Sequence, residues 1–205
     1  MKSLLVVSLI FSSGLASAKT LPSLESKTVI EAPKEGWSTF FGGCSWYCGA
    51  PEISVASSSH LTESSTLAHL PKQAHDSKME SVWCEGVPGN GEGETLTFTF
   101  NTTKDDTTDL GVTSCAIATG HQGSTKLFQQ NNRAKTLQLI IDGLPTALLK
   151  LNDVMGLQRF EIPKVSLQRP SKHTIGFKIV DVYPGSKFQD TCISEVYFQG
   201  TGQMH

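Results

Sequence analysis

The feature that most constrains this chain is a period-two alternation that returns repeatedly between clusters of turn residues. Leu96, Phe98 and Phe100 share one parity, with Thr97 and Thr99 on the other. Thr113, Cys115 and Ile117 repeat the pattern, as do Leu137, Leu139 and Ile141. Ile175, Phe177 and Ile179 give a strong fourth set, with Val180 and Val182 on the opposite parity. Ile53-Ser-Val55, Ala147–Leu151, Arg159–Ile162 and Cys192–Phe198 add shorter runs. Successive side chains of an extended chain point to opposite faces, so alternation of this kind buries one face of a strand. No stretch of useful length carries the 3.6-residue period of an amphipathic helix, and there is no internal repeat. Gly89–Gly93, Asp105–Asp109, Asp142-Gly143, Arg169-Pro170 and Pro184-Gly185 separate the runs. Asp142-Gly143 between two apolar runs is a hairpin signal. Roughly eight short strands so punctuated predict an all-β fold, a two-sheet antiparallel sandwich or jelly roll.

The N-terminus reads as a targeting segment. Lys2 supplies the positive end, Leu4–Phe11 the apolar stretch, and Ala16-Ser-Ala18 the small-residue cleavage site. Residues 1–18 are therefore expected to be a signal peptide and the chain secreted. The apolar run is too short for a membrane anchor. Residues 19–43 are polar, contain Pro22 and Pro33, and are expected to be an extended lead-in outside the domain. The domain is placed at 44–199 and a tail at 200–205. A formal net charge of −2 and the lack of a basic block argue against nucleic acid as the main partner.

All five cysteines, Cys44, Cys48, Cys84, Cys115 and Cys192, follow the signal peptide. An oxidising compartment permits disulfides, and an odd count leaves one thiol over. Cys115 alternates with Ile117 and reads as the buried free thiol, since a free cysteine packs like a small hydrophobe. Cys44, Cys48, Cys84 and Cys192 are the disulfide candidates. Their pairing stays open, with at least one bridge expected to use Cys44 or Cys48.

Several segments together resemble a known family. They are Cys44-Ser-Trp-Tyr-Cys-Gly49, the loop from Ala74-His-Asp76 to Glu85-Gly86, and Gly91-Glu-Gly-Glu-Thr-Leu96. Gly120 to Arg133, Asp181–Lys187 and Asp190–Phe198 complete the set. Their order and spacing resemble the discoidin-like, galactose-binding jelly rolls. The chain is most similar to the glycan-binding domain associated with bacterial NAD glycohydrolases. The resemblance implies an extracellular binding module without catalysis. It also implies a structural calcium ion that pins the loop before Trp83 to the last strand, with Asp76, Ser81 and Glu195 as ligands. Related domains open this loop with Asp-Gly-Asp, whereas here it reads Asp76-Ser-Lys78. The competing role for these residues is structural, with Asp76 as a turn residue and Glu195 as a buried acceptor.

Catalysis has weaker support. Glu80, Glu85, Glu92 and Glu94 cluster around a Gly-rich turn, but a glycosidase needs two carboxylates flanking one bond. Sugar recognition needs an aromatic face and polar groups that reach hydroxyls. Trp46 and Tyr47 are the candidate stacking residues, with His121, Asn132 and Arg133 as hydrogen-bonding partners. Trp83, beside Val82 in a strand-like position, is assigned to the core. The expected partner is a glycan or glycoconjugate. The alternatives are a protein-interaction or structural sandwich and, with less support, a small hydrolase.

Overall fold

The computed structural model describes residues 20–30, 52–64, 67–102, 110–168 and 170–201. They form eleven strands and one short α-helix. In chain order these are β1 (Ser23–Glu25), β2 (Thr28–Ile30), β3 (Glu52–Ser57), β4 (Trp83–Cys84), β5 (Thr95–Thr102) and β6 (Gly111–Thr119). Then follow α1 (Thr125–Gln130), β7 (Asn132–Ile141), β8 (Leu144–Lys150), β9 (Leu157–Ser166), β10 (Ser171–Tyr183) and β11 (Thr191–Thr201). A 3-10 turn spans Pro71–His75. The expected all-β sandwich is what forms.

The strands make two layers. One runs β2-β9-β6-β11 and the other β7-β10-β5-β3, with β8 added to β7. Neighbours within a layer are antiparallel. The layers join where β11 runs parallel to β7 for two residues, Thr191 opposite Asn132 and Cys192 opposite Arg133. The alternation read from sequence becomes the inner surface. Leu96, Phe98 and Phe100 of β5 are fully buried while the threonines between them are not. Phe198 of β11 crosses between the layers. Its ring lies 5.0 Å from that of Phe98 and 5.1 Å from that of Phe100, both edge-on. Edge-on aromatic pairs add about 0.5–1.5 kcal/mol each beyond the area they bury.

The Asp142-Gly143 hairpin is as expected. Both residues have positive φ, 49° and 78°, which is the geometry a two-residue turn between twisted strands requires. Trp83 is completely buried, and its indole N–H donates to the Ser59 carbonyl at 3.0 Å. Cys115 is the buried free cysteine, its thiol pushed far up by burial.

The N-terminal stretch departs from expectation. Residues 20–30 do not stand outside the sandwich. β1 pairs in parallel with β8, and β2 pairs with β9 at the edge of its layer. Each is three residues long, and Leu24 and Ile30 are their only core-facing side chains. A strand that short carries too few residues for an alternation to register. The signal peptide assigned to residues 1–18, and Cys44, Trp46, Tyr47 and Cys48, lie outside the described residues.

Candidate functional site

The loops that lead into β11 and out of β6 gather at one end of the sandwich and enclose a cleft of about 390 Å³. Its floor is a disulfide. Cys84 and Cys192 face each other across the short β4–β11 pair and are bonded. Val82 and Leu61 pack against the bridge. Of the four candidates, these two pair together. The loop carrying Leu61 and His69 is fastened to the floor, since Leu61 N–H donates to the Cys84 carbonyl and His69 N–H to the Leu61 carbonyl.

One wall follows β6. Gly120 turns the chain with φ of 76°, and a side chain there would meet Arg133 Cγ at 2.3 Å. Glycine is therefore required, and the turn sets His121 into the cleft. Gln122 locks the turn from beneath, donating to the Thr119 carbonyl and accepting from Gly156 N–H. Ser124 caps α1 by accepting from Leu127 N–H at 3.1 Å. The helix presents Leu127 and, at its end, Asn131 to the cleft. Phe188 lines the cleft beside the end of α1. The backbone amides of Ser186, Lys187 and Phe188 donate to the carbonyls of Gln129 and Gln130, so this aromatic sits on fixed backbone while 39% exposed.

The polar groups of the cleft differ in how far they are committed. His69 Nε2 lies 2.9 Å from Glu63 Oε1. His121 Nδ1 accepts from Gly123 N–H at 3.3 Å, which puts the ring proton on Nε2. Burial, and then the neighbouring His69, hold the His121 pKa below the usual range, so the ring is neutral at pH 7. Asn131 donates from Nδ2 to the Leu127 carbonyl, leaving Oδ1 free. The Asp190 carboxylate has no hydrogen bond or ion pair among the described residues.

Two expected ligand contacts are corrected. Asn132 donates to Asn90 Oδ1 and the Gln189 carbonyl and accepts from Gly185 N–H, so it clasps three loops together. Arg133 makes a two-pronged pair with Asp153 at 2.9 and 2.7 Å and donates to the carbonyls of Asn131 and Pro184. Its guanidinium also covers the Phe128 ring. Both residues are buried because β7 begins at Asn132, and buried polar groups are spent on internal bonds. The acids around the Gly-rich turn are spent likewise. Buried Glu85 accepts from Val87 N–H and Thr191 N–H. Glu94 accepts from the Ser58 hydroxyl and Glu92 from Asn90. Glu63, His69, Phe188 and Asp190 were missed as site residues. The one usable signal was Phe188, an aromatic outside any alternating run and just past the Pro184-Gly185 turn.

Asp76, Ser81 and Glu195 do come together, but not as a calcium cage. Both Asp76 oxygens lie 2.8 Å from the Ser81 hydroxyl, and one also accepts Lys78 N–H. Glu195 Oε2 accepts Ser77 N–H at 2.8 Å, from a residue in the left-handed region with φ of 63°. The amides of Ser77 and Lys78 reach the carboxylates, and the Lys78 carbonyl lies 3.1 Å from the Ser81 hydroxyl. Calcium takes six to eight oxygen ligands. The one carboxylate oxygen left without a partner is buried Glu195 Oε1, 3.8 Å from His75 Nδ1. Burial, with Asp76 adding repulsion, pushes the Glu195 pKa up to about 8, so a proton neutralises this carboxyl at pH 7. No group of three or more His, Cys, Asp or Glu among the described residues is placed to hold a metal ion. The residues fit a loop closed on itself and do not fit calcium.

Comparison with known proteins agrees with the fold. The family model for the NAD glycohydrolase translocation F5/8 type C domain matches residues 46–199. A solved structure of the CBM32-1, CBM32-2 and M60 catalytic domains of Clostridium perfringens ZmpB aligns with 93% of this chain, at 9% identity and a TM-score of 0.56. The chain spans only 17% of the length of that protein. A Bacteroides thetaiotaomicron fragment assigned to the chitobiases aligns over 75% of this chain and 91% of its own, at 19% identity and a TM-score of 0.42. No curated protein matches.

Proposed function

This chain belongs to the NAD glycohydrolase translocation F5/8 type C domain family, and from that premise we propose that it is a secreted module that binds carbohydrate without turning it over. The observation that carries the reading is the composition of the cleft. Phe188 is an exposed aromatic on fixed backbone, and it faces an apolar floor with His121, Asn131 and Asp190 around it. A sugar ring has an apolar C–H face and a rim of hydroxyls. An aromatic on an apolar floor takes the face, while a few convergent polar groups take the rim. Of the acids at the Gly-rich turn, Glu85 holds the Val87 and Thr191 amides, Glu94 the Ser58 hydroxyl and Glu92 the Asn90 side chain, which argues against a role at a glycosidic bond.

Secretion is part of the proposal and is supported by the Cys84–Cys192 bridge and the signal-peptide pattern. No helix of the described residues is long and apolar enough to cross a membrane. Trp46 and Tyr47 are proposed as further stacking faces. The test is a broad glycan array probed with the secreted protein, followed by titration of the best binder. Phe188→Ala should weaken that binding about tenfold or more while the melting temperature stays nearly constant. Failure of the unaltered protein to bind any glycan would sink the reading and leave a protein partner in its place.

A further inference from the structure

The cleft is unusual in its charge. Two carboxylates line it, Glu63 and Asp190, and no lysine or arginine does so among the described residues. Arg133, the nearby guanidinium in sequence, is turned away onto Asp153 and two backbone carbonyls. Lys187 lies at the rim with its ammonium 4.6 Å from the centre of the Phe188 ring. His69 Nε2 stands 2.9 Å from Glu63 Oε1, and burial holds the His121 pKa below its usual value.

A second observation concerns hydrogen-bond capacity. Asn131 is more than nine-tenths buried and lines the cleft. Its Nδ2 is fixed on the Leu127 carbonyl, so the free atom is the acceptor Oδ1. Asp190 lines the same cleft with a carboxylate that has no partner among the described residues. Glu63 is spent on His69. The free valences of the cleft are therefore acceptors, with His121 Nε2–H as the donor. An incoming group must bring hydrogens, and one that also brings positive charge gains a charge-assisted bond to Asp190. An ammonium carries three donors and no acceptor, the complement of this pair. A carboxylate or sulfate would bring like charge and more acceptors, and would be repelled.

We propose that the cleft selects a glycan bearing a free amine, a hexosamine with an unacetylated nitrogen, whose ammonium sits between Asp190 and Asn131 Oδ1. This rests on the carbohydrate-binding reading and adds a substrate class to it. Sialylated and sulfated glycans are disfavoured by the unpaired carboxylate of Asp190.

The experiment is calorimetric titration of the full secreted chain at mildly acidic pH, where the sugar amine is charged. The probes are a β-1,4-linked glucosamine tetramer, its fully N-acetylated counterpart, sialyllactose and a tetralysine peptide. The glucosamine tetramer is expected to bind at least tenfold more tightly than the acetylated one. The preference should shrink in high salt, since partly exposed charges are screened. Sialyllactose should not bind. Asp190→Asn should weaken the aminated tetramer about tenfold more than it weakens the acetylated one. Its side chain makes no hydrogen bond or ion pair among the described residues, so the variant should melt as the parent does. Equal binding of both tetramers, with Asp190→Asn silent, overturns the inference while the carbohydrate reading stands. Binding of sialyllactose as tightly as the amine overturns it as well. Tetralysine binding more tightly than the sugar overturns it in favour of a basic peptide. If no glycan binds, both readings fall together.

Discussion

Two polar regions at the ends of the same strands behave differently. The loop from Asp76 to Ser81, with Glu195 beneath it, spends all but one of its carboxylate oxygens, Glu195 Oε1, on itself. Asp76 takes the Ser81 hydroxyl and the Lys78 amide, and Glu195 takes the Ser77 amide. The cleft walled by His121, Asn131, Phe188 and Asp190 leaves acceptors and an aromatic uncommitted. Both regions are rich in residues that look chemical in a sequence. The lesson is that polarity marks a site only where the backbone has not already used it. A buried polar group is bonded internally because desolvation without a partner costs about 1–3 kcal/mol. Ligand-binding groups are the ones left over.

The sharpest way to break this contrast is at its shared foundation. The Cys84–Cys192 bridge closes a loop of 108 residues and floors the cleft. Cys84→Ala with Cys192→Ala should lower stability by about 3–5 kcal/mol, from the loop-closure entropy returned to the unfolded chain. Thermal unfolding of oxidised and reduced parent, beside the double variant, measures it. A change under about 1 kcal/mol would show that the short β4–β11 pair holds without the bond.

Arg133 tests the spent class directly. Arg133→Ala removes the partner of Asp153 and leaves the Asn131 and Pro184 carbonyls without a donor. The expected loss is about 2–4 kcal/mol, by the cost of orphaning buried polar groups. Phe188→Ala is the reverse case, with stability held within about 1 kcal/mol and binding lost. If Arg133→Ala instead keeps stability and abolishes binding, the division between spent and free groups is wrong.

These two residues also show how far the sequence could be read. The sandwich was legible because Leu96–Phe100, Leu137–Ile141 and Ile175–Ile179 repeat a period of two, and burial on one face needs no more than that. Cys115 was placed in the core for the same reason, and Trp83 by its strand-like position after Val82 and before the Gly-rich turn. β1 and β2 were not legible, because three residues with one inward side chain leave no pattern. The site was harder still. Asn132 and Arg133 stand next to Asn131 in the chain, yet β7 starts between them and sends the first two inward. Only tertiary structure separates neighbours in that way. Phe188 and Asp190 are brought to His121 by the joining of β11 to β7, a contact between distant parts of the chain.

A smaller effect should appear in the pH dependence of stability. Glu195 has its folded pKa raised from the usual carboxylate value of 4.5 to about 8, first by burial and then by Asp76. Between those values the folded state holds a proton that the unfolded state has lost. Stability therefore falls as pH rises through this window, by the sign of the linkage. His75 acts oppositely. Burial lowers its pKa from 6.5, so its contribution is lost as pH falls below that value. Glu85 is raised by burial and shares the sign of Glu195. The clean window for Glu195 is thus from about pH 6.5 to about pH 8. Denaturant unfolding across it should show stability declining by an amount that Glu195→Gln removes. An identical slope in the variant would mean that another group carries the proton.

The smallest expected effect is none, and it concerns calcium. A ligand that binds only the native state raises the melting temperature in proportion to the logarithm of its concentration. The Asp76 loop offers such a ligand little. Three of the four carboxylate oxygens of Asp76 and Glu195 already accept from Ser77, Lys78 and Ser81, and the Lys78 carbonyl lies within hydrogen-bond distance of the Ser81 hydroxyl. A cation would have to displace those donors. Melting curves in millimolar calcium and in excess chelator are therefore expected to superimpose. Asp76→Asn should change stability through the Ser81 and Lys78 bonds equally in both. Should calcium raise the melting temperature by several degrees, and Asp76→Asn cancel the rise, the loop must open to bind the ion. The self-closed arrangement would then be the apo form of a metal site, and the contrast with the cleft would be one of ligand rather than of commitment.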